Sequence, residues 1–165
     1  MPKKAIRVLH DFDNPYPSGR QALHRGVTLI TYAISKKIPM LRPLAKEAYR
    51  ECFEHCLNLA QTDKLLGIES RFGIKDEVDK VFPELRRELI GLGFPVHRHV
   101  HHSRGHVSWD PPLDIEDRAR HFDQEFARTG AIPEETKWVV FHADYPRLLS
   151  AYIRFIAEAK AQDRM

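Results

Sequence analysis

Apolar and polar positions recur along this chain with two periods, and the switches between them mark out its elements. Ala5 to His10 is an aliphatic, partly β-branched run that stops at Asp11, which predicts a buried strand followed by a turn rich in Asp, Asn, Pro and Gly. From Arg20 onward Leu23, Val27, Ile30 and Ile34 recur at helical spacing until Pro39, predicting a first amphipathic helix. A longer helix is predicted over Leu41 to Leu65. Leu44, Ala48, Cys52, Cys56 and Leu59 form its main stripe, and Leu41, Ala45, Tyr49, Phe53 and Ala60 widen it enough to imply burial between other elements. Gly67 and Gly73 break the chain, and Asp76 to Leu92 reads as a helix in two pieces, the second starting at Pro83 and ended by Gly91 and Gly93. Gly19 to Leu92 is therefore expected to be almost wholly helical.

After Gly93 the period falls to two, with Val96, Arg98 and Val100 on one face of a strand and His97, His99 and His101 on the other. A turn at Ser103-Arg104-Gly105 is expected to lead into a partner strand ending near Trp109. Ile115, Ala119, Phe122 and Phe126 predict another helix closed by Gly130, Lys137 to His142 a second buried strand, and Pro146 to Lys160 a final helix. This order implies an α/β class: a Rossmann-like three-layer domain with a small, mostly parallel sheet and a large helical insertion, residues 19–92, after the first strand.

Length and composition narrow the picture without changing it. A chain of 165 residues with 42% hydrophobic content can bury one substantial core and is short for two ordinary ones. The formal net charge of +3 is too small for a dedicated nucleic-acid binder, although it favours an anionic partner. The start Met-Pro-Lys-Lys-Ala-Ile-Arg has no apolar stretch of signal or membrane-span type, so a cytoplasmic location and no membrane partner are expected. The two cysteines, Cys52 and Cys56, stand one helical turn apart, which suits small buried residues and provides no disulfide framework.

Chemistry concentrates where strands end. In open α/β sheets ligands bind beyond the carboxyl ends of the strands, here occupied by Asp11-Phe12-Asp13-Asn14 and by His142-Ala143-Asp144. Carboxylates brought together repel one another unless a hard cation is present, so Asp11, Asp13 and Asp144 form a candidate Mg²⁺ site for phosphoryl chemistry. The competing expectation is structural, with Asp11 and Asp13 making an Asx turn and Asp144 capping the last helix. His10 and His142 are placed to line the crevice or to serve as satisfied strand-end histidines.

Five of the ten histidines fall between His97 and His106. His97, His99 and His101 share a face about 6.5–7 Å apart, which is wide for three ligands on one metal unless a second strand adds one such as His106. Metal binding, an anion site with Arg98 and Arg104, and a solvated or partner-facing surface all remain open. Asn14, His97, His99, Arg104 and His142 are the candidate substrate-binding residues, for a phosphorylated small molecule or RNA.

The first fifteen residues, an apolar strand running into Asp-x-Asp, resemble the first motif of the haloacid dehalogenase superfamily. The resemblance implies Asp11 as a nucleophile forming an aspartyl-phosphate, Asp13 as general acid and base, Mg²⁺ as cofactor, and residues 19–92 as a helical cap. Phe82-Pro83-Glu84-Leu85 through Gly93-Phe94-Pro95-Val96 is similar to the approach to that family's second motif, and Pro133-Glu134-Glu135-Thr136 through Asp144 to the approach to its fourth. Pro15 replaces the usual Thr or Val, and no Lys marks the third motif. Asp11-Phe12-Asp13-Asn14 also resembles the strand end of NYN and PIN-like nucleases, which implies Asp11, Asp117, Asp123 and Asp144 as metal ligands for RNA hydrolysis. A third expectation is a non-catalytic domain that binds RNA or protein through the histidine-rich hairpin.

Overall fold

The computed structural model describes residues 4–13, 37–101, 107–143 and 148–165. The predicted first helix, the hairpin turn at Ser103-Arg104-Gly105, Asn14, His106 and Asp144 lie outside these residues.

Five strands form one sheet: β1 (Arg7–Phe12), β2 (Ser70–Lys75), β3 (Val96–His101), β4 (Val107–Asp110) and β5 (Trp138–His142). Their spatial order is β4-β3-β2-β1-β5. The pairs β1/β2, β1/β5 and β2/β3 are parallel, and β4 runs antiparallel to β3 at the edge. The mixed α/β class and the mostly parallel sheet thus match expectation.

Two elements differ from it. β1 continues through Asp11 to Phe12, so Asp11 is a strand residue and only Asp13 lies beyond the end. The stretch expected to be helical as far as Leu92 contains β2, which is paired on both sides and sits in the middle of the sheet. Its Phe72 and Ile74 point to one face while Arg71 and Gly73 occupy the other, a period-two pattern masked by the glycine.

The described α-helices are α1 (Arg42–Ala48), α2 (Arg50–Leu66), α3 (Asp76–Val81), α4 (Pro83–Gly91), α5 (Phe122–Thr129) and α6 (Leu149–Ala161), with short 3-10 turns at Pro39–Leu41 and Asp117–His121. The predicted long helix is therefore broken at Tyr49, and the two-piece helix starts its second piece at Pro83 as expected. Gly130 ends α5 with φ 65, a left-handed conformation that lets its N–H reach the Phe126 carbonyl, 2.8 Å away.

Strand parity divides the core in two. Val8 and Phe12 of β1, Phe72 and Ile74 of β2, and Val139 and Phe141 of β5 pack with Cys52, Phe53, Cys56 and Leu59 of α2, Leu85 and Leu89 of α4, and Tyr152 and Phe155 of α6. Both cysteines are buried and form no disulfide. On the opposite face Leu9, Trp138 and Val140 meet Ala119, with Trp109, Leu113 and Ile115 packed against them. Among the described residues no helix is long and apolar enough to cross a membrane.

Candidate metal centre

Parity also decides which polar side chains can meet. In β1, His10 shares a face with Val8 and Phe12, while Asp11 turns to the face of Leu9. His10 consequently does not line the crevice. It is completely buried against α2, its Nε2 2.7 Å from Asp63 Oδ2, and Ser70 Oγ donates to the same oxygen at 2.6 Å. Tyr152 OH donates to Asp63 Oδ1. Burial, and then the charge of Asp63, push the Tyr152 phenol well above its ordinary pKa, which keeps it a donor. His55 nearby is pushed down to about 4 by burial and by His10. This network is a polar island within the core, organised on Asp63, in which only His10 Nδ1 has no hydrogen-bond partner among the described residues.

The opposite face carries the candidate site. Asp11 is in register with Gly73 of β2 on one side and with His142 of β5 on the other. Gly73 is in turn in register with His97 of β3, two residues before His99. Having no side chain, Gly73 leaves a gap between β1 and β3, and Trp109 from β4 fills part of it. The Trp109 ring meets the His99 ring edge-on, with centroids 5.0 Å apart. This cover makes His97 and His99 buried, at 3% and 1% exposure, although their alternation suits a polar outer surface equally well.

His99 reaches both carboxylates of the acidic turn. Its Nδ1 lies 2.9 Å from Asp11 Oδ1 and its Nε2 3.3 Å from Asp13 Oδ1. Burial pulls the pKa of His99 down, but pairing with Asp11 and Asp13 outweighs this and raises it to about 9, so the ring is a cation at neutral pH. One donor atom from each of Asp11, Asp13 and His99 falls within 4.8 Å of the others. Two carboxylates and an imidazole in that space could hold a divalent cation, which would displace the proton from the ring. The charge the site calls for is positive, and the donor types are those of known metal centres.

Comparison of the chain with family models, curated proteins and solved structures finds no match to any of them.

The remaining candidates separate clearly. His97 is held away from the acidic turn, its Nδ1 2.7 Å from the Pro111 carbonyl and its Nε2 3.2 Å from Arg71. Arg98 points to the other face and pairs with Asp110 at 2.7 Å. Arg104 and Asp144 are outside the described residues, as is Asn14. Asp117 is exposed and pairs with Arg120, whereas Asp123 is completely buried and binds His142. Neither belongs to the group formed by Asp11, Asp13 and His99. His99 was legible as a histidine on the correct face. Its convergence with Asp11 and Asp13 depends on β2 lying between β3 and β1.

Proposed function

We propose that this chain is a metal-dependent phosphohydrolase whose cation is held by Asp11, Asp13 and His99. The observation that carries the proposal is the convergence of these three donors at the carboxyl edge of β1. The sheet topology supports it. From β1 the chain builds outward through β2 and β3, then returns to place β5 on the other flank of β1. In Rossmann-like sheets such a reversal opens a ligand crevice beyond the strand ends, and Asp11 and His142 stand on either side of it.

When bound, the cation supplies Lewis-acid polarisation of a phosphoryl oxygen. Asp11 and Asp13 position it with two negative charges, and His99 ligates through one nitrogen after losing a proton, so loading weakens at low pH. Mg²⁺ suits the two carboxylates, and the imidazole shifts preference toward Mn²⁺ or Zn²⁺. Trp109 walls one side of the site, its ring edge-on to that of His99.

The test is hydrolysis of p-nitrophenyl phosphate by the full chain with Mg²⁺, Mn²⁺ or Zn²⁺, alongside calorimetric titration of each metal. Metal-dependent turnover that EDTA abolishes is expected. Asp11→Asn and Asp13→Asn should each weaken metal binding by about 10-fold or more. Wild-type protein that binds none of these metals would overturn the proposal. Cleavage of single-stranded RNA without monoesterase activity would redirect it to a nuclease.

A further inference from the structure

His142, on the same face of the sheet as Asp11, forms a second polar unit with Asp123 at the outer edge of β5. Asp123 has no solvent exposure and comes from the first turn of α5. Its Oδ2 accepts the backbone N–H of His142 at 2.9 Å and lies 2.6 Å from His142 Nδ1, while its Oδ1 accepts the backbone N–H of Gln124 at 2.8 Å. Both backbone groups can only donate, so both oxygens of residue 123 must accept. A carboxylate meets that requirement and an amide does not, because its NH₂ would face one of the two backbone N–H groups. With both oxygens committed as acceptors, His142 Nδ1 must be the protonated nitrogen. The tautomer is thereby fixed, and the lone pair of the neutral ring resides on Nε2.

The position of this ring is equally constrained. His142 is the last residue of β5 and the register partner of Asp11, and the Ala143 N–H donates to the Asp11 carbonyl at 2.9 Å. Side chains in register on adjacent parallel strands share a face, with strands about 4.8 Å apart. His142 nevertheless stays outside the group of donor atoms formed by Asp11, Asp13 and His99. Its place is beside the cation site rather than in it.

We infer that His142 is the proton acceptor of the reaction and Asp123 the positioning residue that fixes its tautomer. The inference rests on the proposed hydrolysis at Asp11 and Asp13, whose carboxylates are committed to the cation and leave proton transfer to another group. As the oxygen of the attacking water bonds to phosphorus, its proton passes to His142 Nε2. The phosphorus–oxygen bond to the alcohol breaks with its electron pair remaining on the alcohol oxygen, which takes a proton from solvent. The imidazolium then returns its own proton to solvent, and alcohol and phosphate are the products.

Three proteins should be compared: wild type, His142→Gln and Asp123→Asn. In both variants kcat for p-nitrophenyl phosphate should fall by about 10²- to 10⁴-fold, the range for loss of general acid–base catalysis. KM and Mn²⁺ affinity should change by less than about threefold. Nitrogen-15 correlation spectra of the imidazoles supply a readout independent of turnover. Wild-type His142 should show a protonated Nδ1 and a bare Nε2, and Asp123→Asn should mix or reverse that pattern in a protein that remains folded.

Undiminished kcat in His142→Gln with an active wild type would overturn this inference alone. So would a bare Nδ1 in the wild-type spectrum. A large loss of Mn²⁺ affinity in His142→Gln would make His142 a ligand instead and overturn it too. Wild-type protein without metal-dependent turnover would overturn both this inference and the proposed hydrolysis.

Discussion

Trp109 lies so close over Gly73 that a methyl group built on Gly73 would fall 2.5 Å from its Cζ3 and 3.2 Å from Asp11 Oδ1. The absent side chain is therefore what allows β4 to fold its tryptophan over the sheet and against His99. Gly73→Ala should push Trp109 outward and crowd Asp11 together. A cost of about 1–3 kcal/mol is expected from overpacking, visible in urea denaturation. Tryptophan emission should shift to the red, and Mn²⁺ affinity should drop by about 10-fold or more because the wall behind His99 has moved. Unchanged emission and affinity would show that the ring does not support the site.

The charge on His99 gives the metal-free protein a particular pH dependence. The pKa is raised from its ordinary 6.5 to about 9 in the folded chain. Below pH 6.5 the ring is protonated in both folded and unfolded states, and the pairing with Asp11 and Asp13 contributes in full. Between 6.5 and 9 only the folded state keeps the proton, so the contribution declines and is lost above 9. The amount at stake is about 3 kcal/mol, from 1.36 kcal/mol per unit. Proton NMR of the His99 ring should give a midpoint near 9 in EDTA, and Asp13→Asn should lower it. A wild-type midpoint near 6.5 would contradict the pairing.

On the other face, Asp63 is the shared acceptor for Ser70 and Tyr152 and the partner of His10. Asp63→Ala should leave all three without that acceptor in a dry environment and cost about 3–5 kcal/mol in chemical denaturation. Tyr152→Phe removes a single hydrogen bond to a charged group and should cost about 2 kcal/mol. Metal affinity of the folded Tyr152→Phe protein should match wild type, because the network lies across the sheet from the cation site. Equal costs for the two variants would mean that Asp63 does not organise the network.

Much of the fold was legible because local periodicity determines it. The strand of β3, its hairpin partner ending near Trp109, the two-piece helix split at Pro83 and the strand Trp138–His142 all follow from patterns within a few residues. β2 was not, because Gly67 and Gly73 resemble breakers and only Phe72 and Ile74 mark the buried face. In fact Gly73 is a strand residue required by a distant tryptophan. The face occupied by His10 could have been deduced, since it is one residue from Asp11 and must point the other way. The partnership of His99 with Asp11 and Asp13 could not, because it depends on the order of three strands far apart in sequence. The link between Asp123 and His142 is likewise made by packing α5 against β5.

The strand that carries Asp11 is held by hydrogen bonds on both flanks, from β2 and from β5. Its amides can exchange with deuterated solvent only when one of those ladders opens, so their protection tracks large-scale opening of the sheet rather than fraying of an edge. A cation bound there resists the same opening. At a free concentration one hundred times its dissociation constant it would slow that exchange by about 100-fold, whereas an edge strand that frays locally would show less of the effect. Ligand occupancy at three side chains from two strands would thus be recorded in the solvent exchange of backbone throughout the middle of the molecule.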